Sequence, residues 1–329
     1  MVGVGRAASS GILIRNGEAL QAASRLTTVV LDKTGTVTTG KPQVSQFHAI
    51  GEARMLTIAH SLEVLSEHPL AGAIVKYCEL NRVETRQISG FVIAPGGGVS
   101  GELEGLQIAC GNIRYMRELG YQGVDLEAEG TVIHVGEGEK IIGHFVLNDS
   151  LKADSIEAVA DLKRQGLKVV MLTGDSESSA RAIAGQLSLD EIVAGVKPED
   201  KLNKIRDLQA RGEKVGMVGD GINDSLALTA ADVGFAMGEG ADIAVETADV
   251  ALLGNSIKGV SSAIKVSRMT MRNIFQNLTA AFTYNILLIP IAAGILYPFT
   301  GLLVNPAMAG LAMALSSITV VSNASRLRW

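Results

Sequence analysis

Apolar runs that break abruptly into polar, glycine-containing loops recur three times along the chain: TTVVLDKTGT at 27–36, LKVVMLTGDS at 167–176 and EKVGMVGDGIND at 213–224. Such runs read as strands buried on both faces of a parallel sheet. After the second run, ESSARAIAGQL sets Ala180, Ile183, Ala184 and Leu187 at helical spacing. KPEDKLNKIRDLQAR starts a helix with Pro198 near its first position and acids in its first turn, and turns Leu202, Ile205 and Leu208 inward. NDSLALTAAD continues the third unit as a helix, and DVGFAM and DVALL add two short strands. Strand and helix alternate, so the pattern predicts an α/β domain with a parallel sheet. The carboxyl ends of such strands line one crevice where ligands bind. That predicts Asp32, Thr34, Thr173, Gly174, Asp175, Gly219, Asp220, Asn223 and Asp224 around a common point, with Lys197 on a nearby loop.

The far end has a different pattern. Between Arg272 and Arg326 no side chain is charged, a stretch of about fifty residues that is enough for two spans of roughly twenty each. The predicted spans are Leu278 to Phe299 and Leu302 to Ala324, joined by YPFTG with Pro298 and Gly301. A buried soluble hairpin is the alternative, but soluble helices of that length carry a charged face. Arg268 and Arg272 precede the first span, Arg326 and Arg328 follow the second, and the turn has no cation. The positive-inside bias therefore predicts a hairpin anchor with both ends and the large polar part in the cytoplasm.

Composition narrows the classes. With 47% apolar residues the chain can bury a sizeable core, and 37 glycines against 4% aromatics suit tight strand-to-helix turns. A net charge of −5 without a basic run argues against nucleic acid as a partner. Cys78 and Cys110 form no CxxC pair and read as small hydrophobes in a reducing compartment. The opening residues lack the long apolar core of a cleavable signal.

Several carboxylates, a lysine and hydroxyls in one crevice suit Mg²⁺ and a phosphoryl group. Mg²⁺ takes hard oxygen ligands, so one or two carboxylates plus phosphate oxygens suffice. Lys197 and the Thr173 hydroxyl would offset charge spread over the equatorial oxygens during transfer. Asp32 is the natural nucleophile, since a carboxylate can accept a phosphoryl group. Taken singly, each acid could equally cap a helix or sit in a solvated turn.

As a set, DKTGT, TGD, KPED and GDGIND resemble the signature motifs of the P-type ATPases, whose phosphorylation domain has the haloacid-dehalogenase fold. The resemblance implies that ATP phosphorylates Asp32, and that Asp32, the Thr34 carbonyl and Asp220 bind Mg²⁺. Thr173, Gly174, Lys197, Asn223 and Asp224 would position phosphate and metal. Hydrolytic relatives carry an acid two residues after the nucleophile; here Thr34 stands there, so the phosphoenzyme is expected to persist. The implied architecture is a phosphorylation domain of 26–42 and 144–265, an inserted α+β nucleotide-binding domain of 43–143 and a transmembrane hairpin within 266–325. Residues 1–25 resemble a stalk leaving a preceding membrane span.

The segment from about Gln43 to Gly143 is too long for a simple connection. Its SEHP could merely cap a helix, and its glycine triplet could be a turn. With EVLSEHPLAGAI, APGGGVSG and IACGN together, it resembles the nucleotide-binding domain of the heavy-metal branch. That implies ATP contacts at Glu63, His68, Gly96, Gly98, Gly111 and Asn112. His48, His60, His134 and His144 are expected to be surface or structural. In the spans, YN followed by NPAMAGLAMALSSITVVSNA resembles copper-exporting members, with Tyr284, Asn285, Met313 and Ser317 at Cu(I) positions. A thioether suits Cu(I), and no intramembrane acid favours Zn²⁺ or Ca²⁺; Ag(I) has similar preferences, and Met as a gap filler is the plainer alternative.

The family's Cys-Pro-Cys and TGE loop are not among these residues. NDSLK stands where Asp-Pro-Leu-Arg is usual, and GDGINDSLAL where GDGINDAPAL is usual, so Ser150, Lys152, Ser225 and Leu226 are departures. The expectation is the carboxyl-terminal half of a Cu(I)-exporting pump in a bacterial inner membrane. Its partners would be ATP, Mg²⁺, Cu(I), lipid and either an amino-terminal half or a copper chaperone. The rivals are a non-catalytic companion of a full pump and a membrane-tethered phosphatase.

Overall fold

The computed structural model describes residues 2–122, 128, 130–175, 177–220, 224–238, 248–295, 297–301 and 306–326. The chain runs α1 (Val2–Ser9), β1 (Ile12–Ile14), α2 (Gly17–Ser24), β2 (Thr28–Asp32), β3 (Thr38–Ala49), α3 (Glu52–Glu63), α4 (Pro69–Leu80), β4 (Ser89–Ala94), β5 (Gly98–Leu103), β6 (Leu106–Gly111) and α5 (Ile113–Glu118). It continues with β7 (Thr131–Glu137), β8 (Lys140–Leu151), α6 (Ser155–Arg164), β9 (Lys168–Leu172), α7 (Glu177–Ala184), β10 (Glu191–Val193), α8 (Pro198–Ala210), β11 (Val215–Gly219), α9 (Ser225–Ala230), β12 (Val233–Met237) and β13 (Val250–Leu252). A long helix Lys258–Ala292, a single turn Tyr297–Thr300 and a last helix Pro306–Ser325 follow.

Two compact units form. Met1–Val30, Asp161–Val169 and Pro198–Trp329 make the first, Leu31–Ala160 and Val170–Lys197 the second. In the first, β1, β13, β12, β11 and the beginnings of β2 and β9 lie side by side in that order. β11, β12 and β13 are parallel, and β1 closes the edge antiparallel. The start of β2 is held on both flanks: Thr27 and Thr28 N–H donate to the Lys214 carbonyl, and Lys168 N–H donates to the Thr27 carbonyl. β2, β11 and β12 are buried throughout, as their unbroken apolar runs predict. The opening residues, expected to be a stalk, form α1, the edge strand β1 and α2. Asn16 caps α2 through its side-chain oxygen, 2.8 Å from Ala19 N. The three apolar residues of β1 were too few to register as a strand.

The long helix has two characters. Its first half buries Val260, Ala263, Ile264, Ser267 and Thr270 on one stripe, packed against α2 and α1. Its second half exposes Phe275, Phe282, Ile286, Leu287 and Ile289, which demands an apolar surrounding. Among the described residues it is the one helix long and apolar enough to cross a membrane; the last helix is apolar over the shorter stretch Gly310–Ser325. The expected span boundaries shift accordingly. The first helix ends at Ala292, not Phe299, where Gly294 turns the chain with φ +85, and Tyr297–Thr300 forms its own turn. Leu302, the expected start of the second span, lies outside the described residues, and the helix described begins at Pro306. Arg268, expected as an anchoring cation, donates to the carbonyls of Gln165 (2.8 Å), Leu26 (3.1 Å) and Ser24 (3.4 Å). At the open base of the hairpin Asn273 donates to the Asn323 carbonyl at 2.8 Å, and Asn323 donates to Asn277 at 2.8 Å.

In the second unit the end of β9 pairs with β10 in parallel. A separate antiparallel sheet has the order β3-β8-β7-β6-β5-β4. Helices α3 and α4 cover one face, burying Met55, Ile58, Leu62, Ile74, Ile108 and Phe145. Cys78 and Cys110 are both free and buried, in keeping with their reading as hydrophobes. Strands β3 and β8 cross the expected boundaries at 42/43 and 143/144 and pair from Thr38–Leu151 to Ala49–Gly143, with register shifts between Thr38 and Pro42 and between Val44 and Gln46.

Candidate functional site

Val29, Val30 and Leu31 are fully buried in β2 and deliver Asp32, 6% exposed, to its carboxyl end. The chain then turns at Thr34 (φ −75, ψ 125) and Gly35 (φ 73, ψ −14), a type II turn that requires glycine's positive φ at its third residue. The Lys33 carbonyl accepts from Thr38 Oγ1 at 2.9 Å, and buried Lys33 forms an ion pair with Asp175. Thr36 Oγ1 is buried with no partner among the described residues. At the end of β9, Thr173 Oγ1 accepts from Asp175 N–H at 3.1 Å, which leaves its hydroxyl proton to donate elsewhere. Gly174 is exposed. Thus one unit carries Asp32, Thr34, Thr173 and Gly174 together with Lys33 and Asp175.

β8 and α6 brace this loop. Asp149 accepts from Thr39 Oγ1 at 3.0 Å and Gly40 N at 3.1 Å, and also from Thr38 Oγ1. Ser155 Oγ donates to the Val37 carbonyl at 2.7 Å. The departure at Ser150 therefore leaves the bracing acid in place.

In the first unit β11 ends at Gly219, immediately before Asp220, and α9 begins after Asp224. Lys201 Nζ lies 2.7 Å from Asp224 Oδ1, with the two side chains 10% and 1% exposed. Gly219 is needed beside them, because a Cβ there would stand 2.4 Å from Asp224 Oδ2. Burial pushes the Asp224 carboxyl up, against the pull of Lys201. Asp220 Oδ1 and Asp224 Oδ2 are buried with no hydrogen-bond partner among the described residues. Two orphaned carboxylate oxygens fit a hard divalent cation. Asn223 lies outside the described residues. Lys197, predicted to face the phosphate, is exposed. Lys201 was missed, though it left a signal: it shares the 201/205/208 stripe with buried Ile205 and Leu208, whereas Leu202, predicted inward, is only half-buried. Ala180, Ile183 and Ala184 on α7, and Leu187 just after it, are buried as their spacing predicts.

The second candidate site is a cavity of about 240 Å³ beside α4, lined by all six predicted nucleotide residues, Glu63, His68, Gly96, Gly98, Gly111 and Asn112. His68 Nδ1 accepts from Leu70 N–H at 3.2 Å, so a neutral ring carries its proton on Nε2. Asn112 is locked: its Nδ2 donates to the Gly96 carbonyl at 2.8 Å, and its Oδ1 accepts from Tyr115 N at 2.9 Å. Gly96 needs its φ of +70. Gly98 and Gly111 have a different reason: a Cβ at Gly98 would stand 2.1 Å from the Cys110 carbonyl, and one at Gly111 2.7 Å from that of Gly97. Burial raises the Glu63 carboxyl to about 7. The apolar walls Ile93, Val99 and Ile133 were not predicted; they come from three different strands.

Of the predicted ion residues, Tyr284 and Met313 are exposed on their helices. Asn285 and Ser317 each donate to a carbonyl one turn back, those of Ala281 and Met313, both at 3.1 Å.

Residues 26–232 match the family described as "Hydrolase: haloacid dehalogenase-like hydrolase". A copper-exporting P-type ATPase of Vibrio cholerae is 46% identical over 341 residues; these cover 100% of this chain and 37% of that protein. The chain thus spans well under two thirds of that curated relative. A crystal structure of a zinc-transporting PIB-type ATPase in its E2.Pi state superposes with TM-score 0.83 at 36% identity, covering 100% of this chain and 54% of that one. The catalytic domain of the CPx-ATPase CopB-B superposes with TM-score 0.69 at 32% identity, covering 80% of this chain and 98% of that one.

Proposed function

We propose, for a chain that belongs to the haloacid dehalogenase-like hydrolase family and matches the catalytic region of P-type ATPases, that it binds MgATP and takes the terminal phosphoryl group on Asp32. The observation that carries this reading is that six residues chosen for nucleotide contact line one cavity. Glu63, His68 and Asn112 supply polar contacts, and the His68 Nε2–H is a donor for a purine nitrogen. Asp32 attacks the γ-phosphorus, the bond to the bridging oxygen breaks, and ADP leaves with that electron pair. Thr173 donates its hydroxyl proton to a phosphoryl oxygen, and Lys201 is the buried cation for this chemistry in place of Lys197. Asp32, the Thr34 carbonyl and Asp220 would hold Mg²⁺, which supplies charge neutralisation; Gly174, Asn223 and Asp224 complete the set by resemblance.

Labelling with γ-³²P-ATP, comparing wild type with Asp32→Asn, tests the reading. Acid-stable, hydroxylamine-sensitive label on wild type alone is expected; equal label on both removes Asp32 as nucleophile.

The ion proposed for the whole pump is Cu(I), with Tyr284, Asn285, Met313 and Ser317 as its intramembrane ligands. The soft Met313 thioether and the uncharged hairpin favour it over Zn²⁺. Transport is assigned to a longer assembly that includes the Cys-Pro-Cys and TGE elements, in a bacterial inner membrane with both units cytoplasmic. A phosphatase reading is disfavoured because Thr34 offers no proton relay; rapid turnover of simple phosphate esters without ATP would revive it. A companion role predicts no label and co-purification with a full-length pump.

A further inference from the structure

We infer that Lys152 is a positioning residue for the loop after Asp32, holding the main chain from Gly35 to Val37 in the form that presents Thr34 and Asp32 to their ligands. The inference rests on the roles proposed above for those two residues.

The residue types of the loop do not lock it. Gly35 sits at φ 73, yet glycine takes left- and right-handed conformations about equally readily. The lock comes from outside the loop. Lys152 Nζ donates to the Gly35 carbonyl at 2.5 Å. Its own N–H donates to the Val37 carbonyl at 3.1 Å, which also accepts from Ser155 Oγ at 2.7 Å. One residue thereby fixes both carbonyls, one by its tip and one by its backbone. Lys152 is only 9% exposed, and a lysine is seldom buried to that extent without a specific partner. A hydrogen bond with a charged donor is about twice as strong as a neutral one, enough to hold a glycine turn in one form.

The Gly35 bond is the part a side-chain change can remove. Lys152→Met keeps the aliphatic stem and deletes the donor, while Lys152→Arg restores a cation; Lys152→Gln serves if the methionine variant fails to fold. Two readouts are taken on the full chain in detergent: hydrogen exchange of the amides from Thr34 to Val37, and the rate of label uptake beside the half-saturating ATP concentration. Exchange is expected to quicken about tenfold or more in Lys152→Met and to return toward wild type in Lys152→Arg. Label uptake should slow by up to about 100-fold, as small displacements of a reacting group do, with ATP half-saturation changing less than about twofold. Equal exchange protection in wild type and Lys152→Met overturns the inference. A global loss of protection with a matching fall in melting temperature also overturns it, by making Lys152 merely structural. If exchange behaves as expected but no variant takes label, the positioning role stands and the Asp32 reading fails.

Discussion

Lys201 Nζ sits 2.7 Å from Asp224 Oδ1, with both side chains nearly or wholly buried. Attraction in a low-dielectric setting offsets the desolvation of both charges only while both are present. Lys201→Met leaves a buried, uncompensated carboxylate beside Asp220 and should cost about 3–5 kcal/mol. Lys197→Ala, at an exposed position, should stay within about 0.5 kcal/mol. Thermal melts and label uptake of the two variants check this; equal effects would reinstate Lys197.

Glu63 titrates where it can be followed. Burial raises its carboxyl from 4.5 to about 7, so between those values the folded protein holds a proton that the unfolded chain has released. Nucleotide-free stability should therefore fall as pH rises from about 4.5 to 7 and level off above, by on the order of 3 kcal/mol in all. Glu63→Gln should flatten that part of the profile. An unchanged slope in the variant shows that other groups produce it.

Two of the glycines lining the cavity, Gly96 and Gly98, should respond differently. At Gly96 a methyl group meets nothing within 4 Å but must adopt φ +70, a cost of about 1 kcal/mol. At Gly98 it runs into the Cys110 main chain, and backbone yields less than a side chain, so about 1–3 kcal/mol is expected. Melting of Gly96→Ala and Gly98→Ala without nucleotide separates the cases. A larger loss at Gly96 would be the wrong order.

Arg268 ties the long helix to three main-chain carbonyls, those of Ser24, Leu26 and Gln165. Arg268→Ala should remove about 1.5–3 kcal/mol, seen as faster exchange at Leu26 to Thr28 where β2 begins. Arg268→Lys should recover only part, because one ammonium cannot span three acceptors. Full recovery by lysine would mean that charge, not geometry, matters there.

Much of this protein is written locally. The buried strands at β2, β9 and β11, the inward stripe of α7 and the uncharged hairpin follow from the spacing of apolar residues, which each segment carries by itself. The six residues that line the cavity beside α4 were legible through motifs, since EVLSEHP, the glycine triplet and GN each keep their chemistry in a short window. What the tertiary structure decided depends on residues far apart in the chain. A lysine on a helix is exposed or buried according to what packs against it, so Lys201 became Asp224's partner across 23 residues. Lys152, a departure from the expected motif, became a brace for Gly35 across 117 residues. Gly98 and Gly111 proved to be demanded by the neighbouring strand, and β3 and β8 by each other, because strand pairing is a contact between segments that no single window contains.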